Sequence, residues 1–595
     1  MTSVNPISDH RSSQVGVAGS TIEVARHVLV VLAAFVLWIW SVNRVDETAL
    51  GDYGLIGILP VTTFLALVIV IVGFSVVTRR DNPGPLLAFY TTALAVMLHG
   101  LPVFAYEHMR ASWAWKHVGV VDYIQRFGDV NPGAGDLAVY HNWPGFFGIN
   151  AWITDAGGLE SALSYAAWAP IVFNLLFIGA LYMMFRAFTA NQSLIWTAIV
   201  FFVIGSWVGQ DYFAPQAVAF FMYLLVMAIL LRWYSRSISD TAELSDDGFE
   251  PGSPAARVVA GVLVLAMVMI ASSHQLTPIV TIAAIGALII FKQLRVKWPL
   301  WTMIAITVVW FFGPARDFVF AHAQNVMREF GGVAGNVDST LADYGSVSDA
   351  QRNISLISRL LSAAIFVLAG IGLIRRRAAG QRSGWLILLA AAPVALFFVS
   401  SYGGELVLRA YLFALPFAAF LAASVWFPTN VTRGNSPSRV LLGVILVGLV
   451  PGLLVADFGA DRRQVFSDGE VAAAEYVIAN APPFSLIVEG TRDYPRLYRN
   501  TEQRTYLTID RLPEQALEHM MSDPAEVLHR WLTDPTTYSG GYVILTESQR
   551  ASVSDLGNTL IPTLDTVEDA LRSSGLFVIG FEAEGAVVFE PAEQS

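Results

Sequence analysis

Between Tyr106 and Trp152 the chain carries a polar stretch, YEHMRASWAWKHVGVVDYIQRFGDVNPGAGDLAVYHNWPGFFGINAW, whose residue types could do chemistry. It gathers Lys116, His117, Asp122, Arg126, Asp129, His141 and Trp143. A carboxylate acts as a general base when it lies within hydrogen-bond reach of the hydroxyl it deprotonates. Asp122, a few residues past Trp113 and Trp115, is the acid placed for that role or for holding a metal. Lys116, with His117, Arg110 and Arg126 near it, has the chemistry that grips phosphate, lysine as a point charge and arginine as a fork. In His141-Asn142-Trp143-Pro144-Gly145 the Pro-Gly pair fixes a turn, which would present the Trp143 ring as a platform for a sugar. Each has a plainer reading. Asp122 would be a solvated acid on an amphipathic loop helix, the cations would anchor to lipid headgroups, and His141 would plug the loop onto helix ends.

Three short turns add to this set. Gln210-Asp211-Tyr212 lies between two apolar segments, and an acid so near hydrocarbon is costly unless it faces a polar cavity or a partner. Asp211 is therefore a second candidate carboxylate, with a helix cap as its plain alternative. Ser272-Ser273-His274-Gln275 makes a sharp return where His274 could bond a phosphate or a sugar hydroxyl, or simply satisfy a helix junction. Glu405 and Arg409 stand four apart at the start of another apolar run, an ion pair at helical spacing or, for Arg409, a phosphate clamp.

The elements that must hold these residues are membrane spans. The 595 residues are 55% hydrophobic and 14% charged, against about 25% charged in an ordinary soluble domain, and the mean hydropathy is +0.56. A span needs roughly 20 mostly apolar residues. Thirteen segments qualify, near 25–42, 55–77, 84–106, 163–188, 193–209, 215–233, 258–274, 276–292, 298–313, 355–374, 385–401, 410–427 and 439–457. Short loops rich in Arg and Lys favour the cytoplasm. Arg79–Arg80, Arg375–Arg376–Arg377 and the basic residues flanking 234–257 then put a cytoplasmic tail at 1–24, the transmembrane domain at 25–458 and the Tyr106–Trp152 loop outside. The Ser/Asp/Gly/Pro-rich stretch 234–257 reads as a flexible linker. Beyond the last span, residues 459–595 change character. Apolar runs shorten to strand size at 485–490, 541–547, 576–581 and 586–591, alternating with helical patterns near 470–480, 511–532 and 564–574. The fold class is thus a polytopic α-helical membrane protein with a C-terminal extracytoplasmic α/β domain.

Several functions are excluded or disfavoured. The net charge of −11 and the lack of a basic run argue against nucleic acid. With no cysteine, disulfides, thiolate nucleophiles and Cys-based metal sites are absent. Only three of the 36 basic residues are lysines, Lys116, Lys292 and Lys297, a bias typical of high-GC bacteria.

Many spans, a long outer loop with an acid soon after its start, an outer arginine late in the bundle and a C-terminal extracytoplasmic domain together resemble the GT-C superfamily of integral-membrane glycosyltransferases. The stretches WKHVGVVDYI, WPGFFGINAW, GQDYFAPQA and SSHQLTP look like a bacterial, largely actinobacterial, branch. The resemblance covers 84–457. It departs from the superfamily pattern at Asp122, which stands without the adjacent acid of the usual DD, DE or ExD pair.

What the resemblance implies is an inverting sugar transfer at the outer face of the cytoplasmic membrane. The donor would be a polyprenyl-phosphate sugar, the acceptor a cell-envelope glycan or glycolipid, and membrane lipids the surroundings. Asp122 would deprotonate the acceptor, with Asp211 the only candidate nucleophile for a retaining route. Lys116, His274 and Arg409 would hold the donor phosphate. His117, His141, Trp143, Gln210, Tyr212, Gln275 and Glu405 would contact substrate. A divalent cation, Mg2+ or Mn2+, is the cofactor this leaves open. A lipid-linked sugar transporter or flippase would instead place ionisable residues near the bilayer midplane and show repeats. An O-antigen ligase or polymerase is the nearer alternative.

Overall fold

The computed structural model describes residues 9–80, 83–236, 252–329, 347–381, 383–398, 406–427, 438–534, 536–557 and 564–592. Glu405, most of the 234–257 linker and residues 330–346 lie outside them. Each of the thirteen apolar segments contains an apolar helix among the described residues. Seven are long and apolar enough to cross a membrane, eight when Trp298–Phe312 and Arg316–His322, bent by 77°, count as one. Five more, Val61–Val77, Gly84–His99, Gln192–Gly205, Thr277–Ile290 and Gly384–Phe397, are shorter apolar helices. Local chemistry sets their starts. Ser253, Asn191 and Ser348 each accept a backbone N–H from the first turn of the helix they precede, satisfying donors that have no partner inside the helix. The most buried helices are apolar all round: every residue of Ser193–Gly205 is buried, and so is nearly every residue of Leu406–Ala423.

The loop at one end of the bundle is itself helical. Ser112–Phe127 forms an amphipathic helix, followed by the short Ala138–Asn142 helix and by Gly145–Ala156. Trp115 of the first helix packs inward. It is buried, donates its Nε1–H to the Met109 carbonyl at 2.7 Å, and meets Tyr498 and Phe466 edge-on.

The C-terminal unit is a five-stranded sheet of β1 (Ser485–Glu489), β2 (Arg504–Thr508), β3 (Gly541–Thr546), β4 (Phe577–Ala583) and β5 (Ala586–Pro591) in the order β2-β1-β3-β5-β4. β1 pairs parallel with β2 and β3, while β5 runs antiparallel to β3 and β4. Side chains alternate across a strand, and β1 divides accordingly. Leu486 and Val488 enter a core with the flanking helices, whereas Ile487 joins the core continuous with the membrane bundle.

Backbone proximity fixes how this unit docks. A Cβ on Gly119 of the loop helix would lie 1.7 Å from the Leu497 carbonyl oxygen, so the two chains touch only because residue 119 has no side chain. Gly119→Ala is expected to loosen the docking, seen as lowered thermal stability and faster proteolysis of the C-terminal unit. Gly148→Ala, on a helix with open space around its Cβ, is expected to leave both unchanged or improved. Equal behaviour of the two variants would contradict the docking.

Candidate active site

A cavity of about 540 Å³ opens at the end of the bundle that carries the loop. It lies where the end of the Gly84–His99 and Leu101–Ala105 helices, the 207–216 turn, the 274–275 return, the start of Leu406–Ala423 and the end of Arg439–Phe458 converge. Pro102, Val103, Trp168 and Pro170 give it an apolar wall. Gln210, Asp211, Tyr212, His117, His274, Gln275 and Arg409, from two polar turns, the loop helix and the start of the Leu406–Ala423 helix, all line it.

Asp211 is held before any ligand arrives. Its Oδ2 accepts Asn174 Nδ2–H at 2.6 Å and lies 3.1 Å from His99 Nδ1. His99 Nε2 donates to the Val203 carbonyl at 3.0 Å. The ring therefore meets an oxygen acceptor on each nitrogen, an arrangement that imidazolium satisfies. Both contacts fall on Oδ2, leaving Oδ1 to the cavity. His274 has the opposite polarity: its Nδ1 accepts the Leu276 and Thr277 backbone N–H groups, both at 3.3 Å. Nε2 then carries the proton and is a donor. Arg409 is buried on the same cavity wall.

His117 donates Nδ1–H to the Phe213 carbonyl at 2.8 Å and stacks flat on Tyr212, ring centroids 5.8 Å apart. Burial, and then the neighbouring Lys116 charge, push its pKa down to about 3, so it is neutral with Nε2 as an acceptor. It joins the loop helix to the 210–214 turn.

Four expected site residues lie off the cavity. Asp122 Oδ2 accepts Arg126 Nε–H at 3.0 Å and the Asn500 backbone N–H at 3.1 Å, and Arg126 in turn grips Glu502 with two bonds at 3.0 and 2.8 Å. Asp122 thus ties the loop helix to the C-terminal unit. His141 Nδ1 accepts the Asn131 N–H at 3.1 Å, and burial pushes its pKa down to about 4. Trp143 is 3% exposed and packs edge-on against Phe311 and Phe318. Lys116 sits behind the cavity wall, its Nζ 3.4 Å from the centroid of the Trp113 ring.

Sequence reasoning found Asp211 but passed over two other acids that line the cavity, Glu107 and Asp457. Glu107 is exposed on its rim, its backbone N–H bonded to Glu47 Oε2 at 3.2 Å. Asp457, near the end of the last span, lines the cavity beside Gly209. Arg110 binds Asp461 Oδ1 through Nε at 2.6 Å, Asp457 Oδ1 through Nη1 at 3.2 Å, and the Asp457 carbonyl. Tyr106 donates to Asp461 Oδ2 at 2.5 Å. An acid inside an apolar run is itself a functional flag, so the signal for Asp457 was present in LLVADF. Among the described residues no three His, Asp or Glu side chains converge to hold a metal. The cavity's buried acids face arginine, histidine and asparagine donors, a set that does not fit a resident Mg2+ or Mn2+.

No family model matches the chain, and no curated protein matches it. Solved structures similar to it include the archaeal oligosaccharyltransferase AglB from Archaeoglobus fulgidus, in complex with an inhibitory peptide and a dolichol-phosphate. That match is 12% identical over 85% of this chain and 74% of that one, with a TM-score of 0.49. ArnT from Cupriavidus metallidurans bound to undecaprenyl phosphate is 13% identical over 85% of this chain and 98% of that one, TM-score 0.48. ArnT in the apo state gives 13%, 84%, 97% and 0.45.

Proposed function

We propose that this chain is a GT-C-type glycosyltransferase, taking a sugar from a polyprenyl-phosphate donor in this cavity to a hydroxyl of an envelope glycan or glycolipid. The reaction face is the outer side of the cytoplasmic membrane. One observation carries the reading. An oriented carboxylate, Asp211, shares a cavity that has an apolar wall with a buried arginine and a proton-bearing imidazole. Those are the groups a lipid-phosphate leaving group and an attacking hydroxyl require.

Asp211 Oδ1 takes the proton of the acceptor hydroxyl while that oxygen bonds to the anomeric carbon. The bond from that carbon to the phosphate oxygen breaks, and its electron pair leaves with polyprenyl phosphate. Arg409 and His274 Nε2–H meet the charge that develops there, where a fixed donor is worth most. The stereochemistry is inverting, because a single displacement turns the anomeric centre over. The prenyl chain lies along Pro102, Val103 and Trp168.

Donor-site binding tests this without turnover. Trp168 and Trp207 line the cavity, so a polyprenyl phosphate should change the tryptophan fluorescence. Arg409→Gln should weaken binding about tenfold or more, in keeping with the roughly 1.5–3 kcal/mol of a hydrogen bond to a charged group, while Asp122→Asn should not. Equal affinity of wild type for polyprenol and for polyprenyl phosphate would remove the phosphate clamp from the account.

A further inference from the structure

The loop helix faces the C-terminal unit across a seam whose charges the sugar-transfer chemistry does not use. Lys116 projects from that helix and is only 6% exposed. Its Nζ lies over the Trp113 ring at 3.4 Å and 5.2 Å from the Tyr140 ring centroid. Among the described residues it has neither an ion pair nor a hydrogen bond. A buried ammonium with aromatic contacts and no anion is left expensively unpaired.

The groups acting on it come from one edge of the sheet. After burial, the influences that push its pKa well below the ordinary lysine range are Arg496 and Arg492, with a smaller one from Arg511, and Asp136 opposing them. Arg492 and Arg496 follow β1, and Arg511 ends the short turn after β2. β1 and β2 are adjacent and parallel, so these loops share the carboxyl edge of the sheet, where open α/β sheets bind their ligands.

The carboxylates there answer only half of the cations. Glu489, fully buried, accepts from Tyr494 and Thr508 and pairs with Arg496 at 2.8 Å. Asp136 pairs with Arg492 at 2.5 Å. Asp493 accepts from Ser552, and neither it nor Asp510 pairs with these cations among the described residues. Among the described residues neither Lys116 nor Arg511 forms an ion pair with a carboxylate, and Nε of Arg496, a residue 4% exposed, is buried without a hydrogen-bond acceptor.

We propose that this seam, formed by Lys116, Arg492, Arg496 and Arg511, is an anion site that takes a phosphate group carried by the acceptor. The anion supplies the missing counter-charge, bonding Lys116 Nζ and the arginine forks. Trp113 and Tyr140, whose rings Lys116 approaches, are also lining residues of the cavity that holds Asp211. The assignment to the acceptor rests on the glycosyltransferase reading, while the anion site stands apart from it.

The test is thermal unfolding of the full-length protein in detergent, with inorganic phosphate or short-chain phosphatidylglycerol as probes and sulfate-free buffer as reference. Phosphate should raise the melting temperature of wild type by several degrees. Lys116→Met should melt higher than wild type without phosphate, because the unpaired charge is gone, and should gain little from it. Arg492→Gln, at a half-buried position, should respond about tenfold more weakly in half-saturating phosphate. A shift only with phosphatidylglycerol, lost in the same variants, would overturn the acceptor assignment in favour of a lipid headgroup. No shift with either probe, or equal shifts in all three proteins, would overturn the site. No sugar is transferred in this experiment, so failure of the glycosyltransferase reading would leave its result unchanged.

Discussion

Asp211→Asn is expected to lower turnover by roughly 10²- to 10⁴-fold, the range a positioned general base supplies, while leaving affinity for polyprenyl phosphate near that of wild type. Asparagine keeps the shape and can still meet Asn174 and His99, so the cavity should keep its form. What is lost is the carboxylate oxygen that accepts the acceptor's proton. Initial rates of labelled-sugar transfer at saturating donor read this out, with donor affinity measured separately. Asp122→Asn is the informative companion. Its carboxylate faces Arg126 and the Asn500 N–H, so it should weaken docking of the C-terminal unit and leave kcat within a few-fold. If Asp122→Asn abolishes transfer and Asp211→Asn does not, the base lies on the loop helix. If only Glu107→Gln does so, the base is the exposed acid on the cavity rim.

Arg110→Met is expected to be the most destabilising single change at this end of the bundle. Arg110 answers two carboxylates at once, and the side chains of Asp457 and Asp461 are 5% and 0% exposed. Removing one partner of a buried pair costs about 3–5 kcal/mol, because a charge remains with nothing to meet it. Arg110→Lys should recover only part of this, since one ammonium cannot span Asp461, Asp457 and the Asp457 carbonyl as the fork does. The measurement is the fraction folded by detergent-phase melting. The triple variant Arg110→Met/Asp457→Asn/Asp461→Asn should be more stable than Arg110→Met alone. If removing the acids gives no recovery, the network does not carry the charge balance assigned to it.

The spans were legible because hydrocarbon demands long apolar runs, and thirteen such runs give thirteen apolar helices. Strands β1, β3, β4 and β5 announced themselves in the same way, as short runs such as SLIVE and GYVILT. β2 did not. Arg504-Thr505-Tyr506-Leu507-Thr508 contains no apolar run, and its pairing with β1 fixes it as a strand. The Glu547–Leu556 helix was equally hidden, since ESQRASVSDL is polar and starts from a reciprocal cap between Thr546 and Gln549.

At the site, residues in short turns between spans were readable, because polar groups at the edge of hydrocarbon have few reasons to be there. Asp211 and His274 are of this kind, and Arg409 stands in the first turn of an apolar helix. The long loop is harder to read for a physical reason. Its charged and aromatic residues are also what a buried interface between two units uses, and their partners are far away in sequence. Glu502 lies 376 residues from Arg126, and Asp461 lies 351 from Arg110. No local pattern separates Trp143 packed against Phe311 from a tryptophan stacked on sugar.

The account's central claim is that this cavity transfers sugar from a lipid phosphate, and transfer itself tests it most directly. Purified protein is incubated with radiolabelled polyprenyl-phosphate sugars and a cell-envelope lipid and glycan extract, and the products are resolved for a new glycosidic bond. Labelled acceptor together with free polyprenyl phosphate from wild type, and neither from Asp211→Asn, is the predicted result. Label that moves across or is released from the membrane with no new glycosidic bond would contradict the claim and favour a transporter.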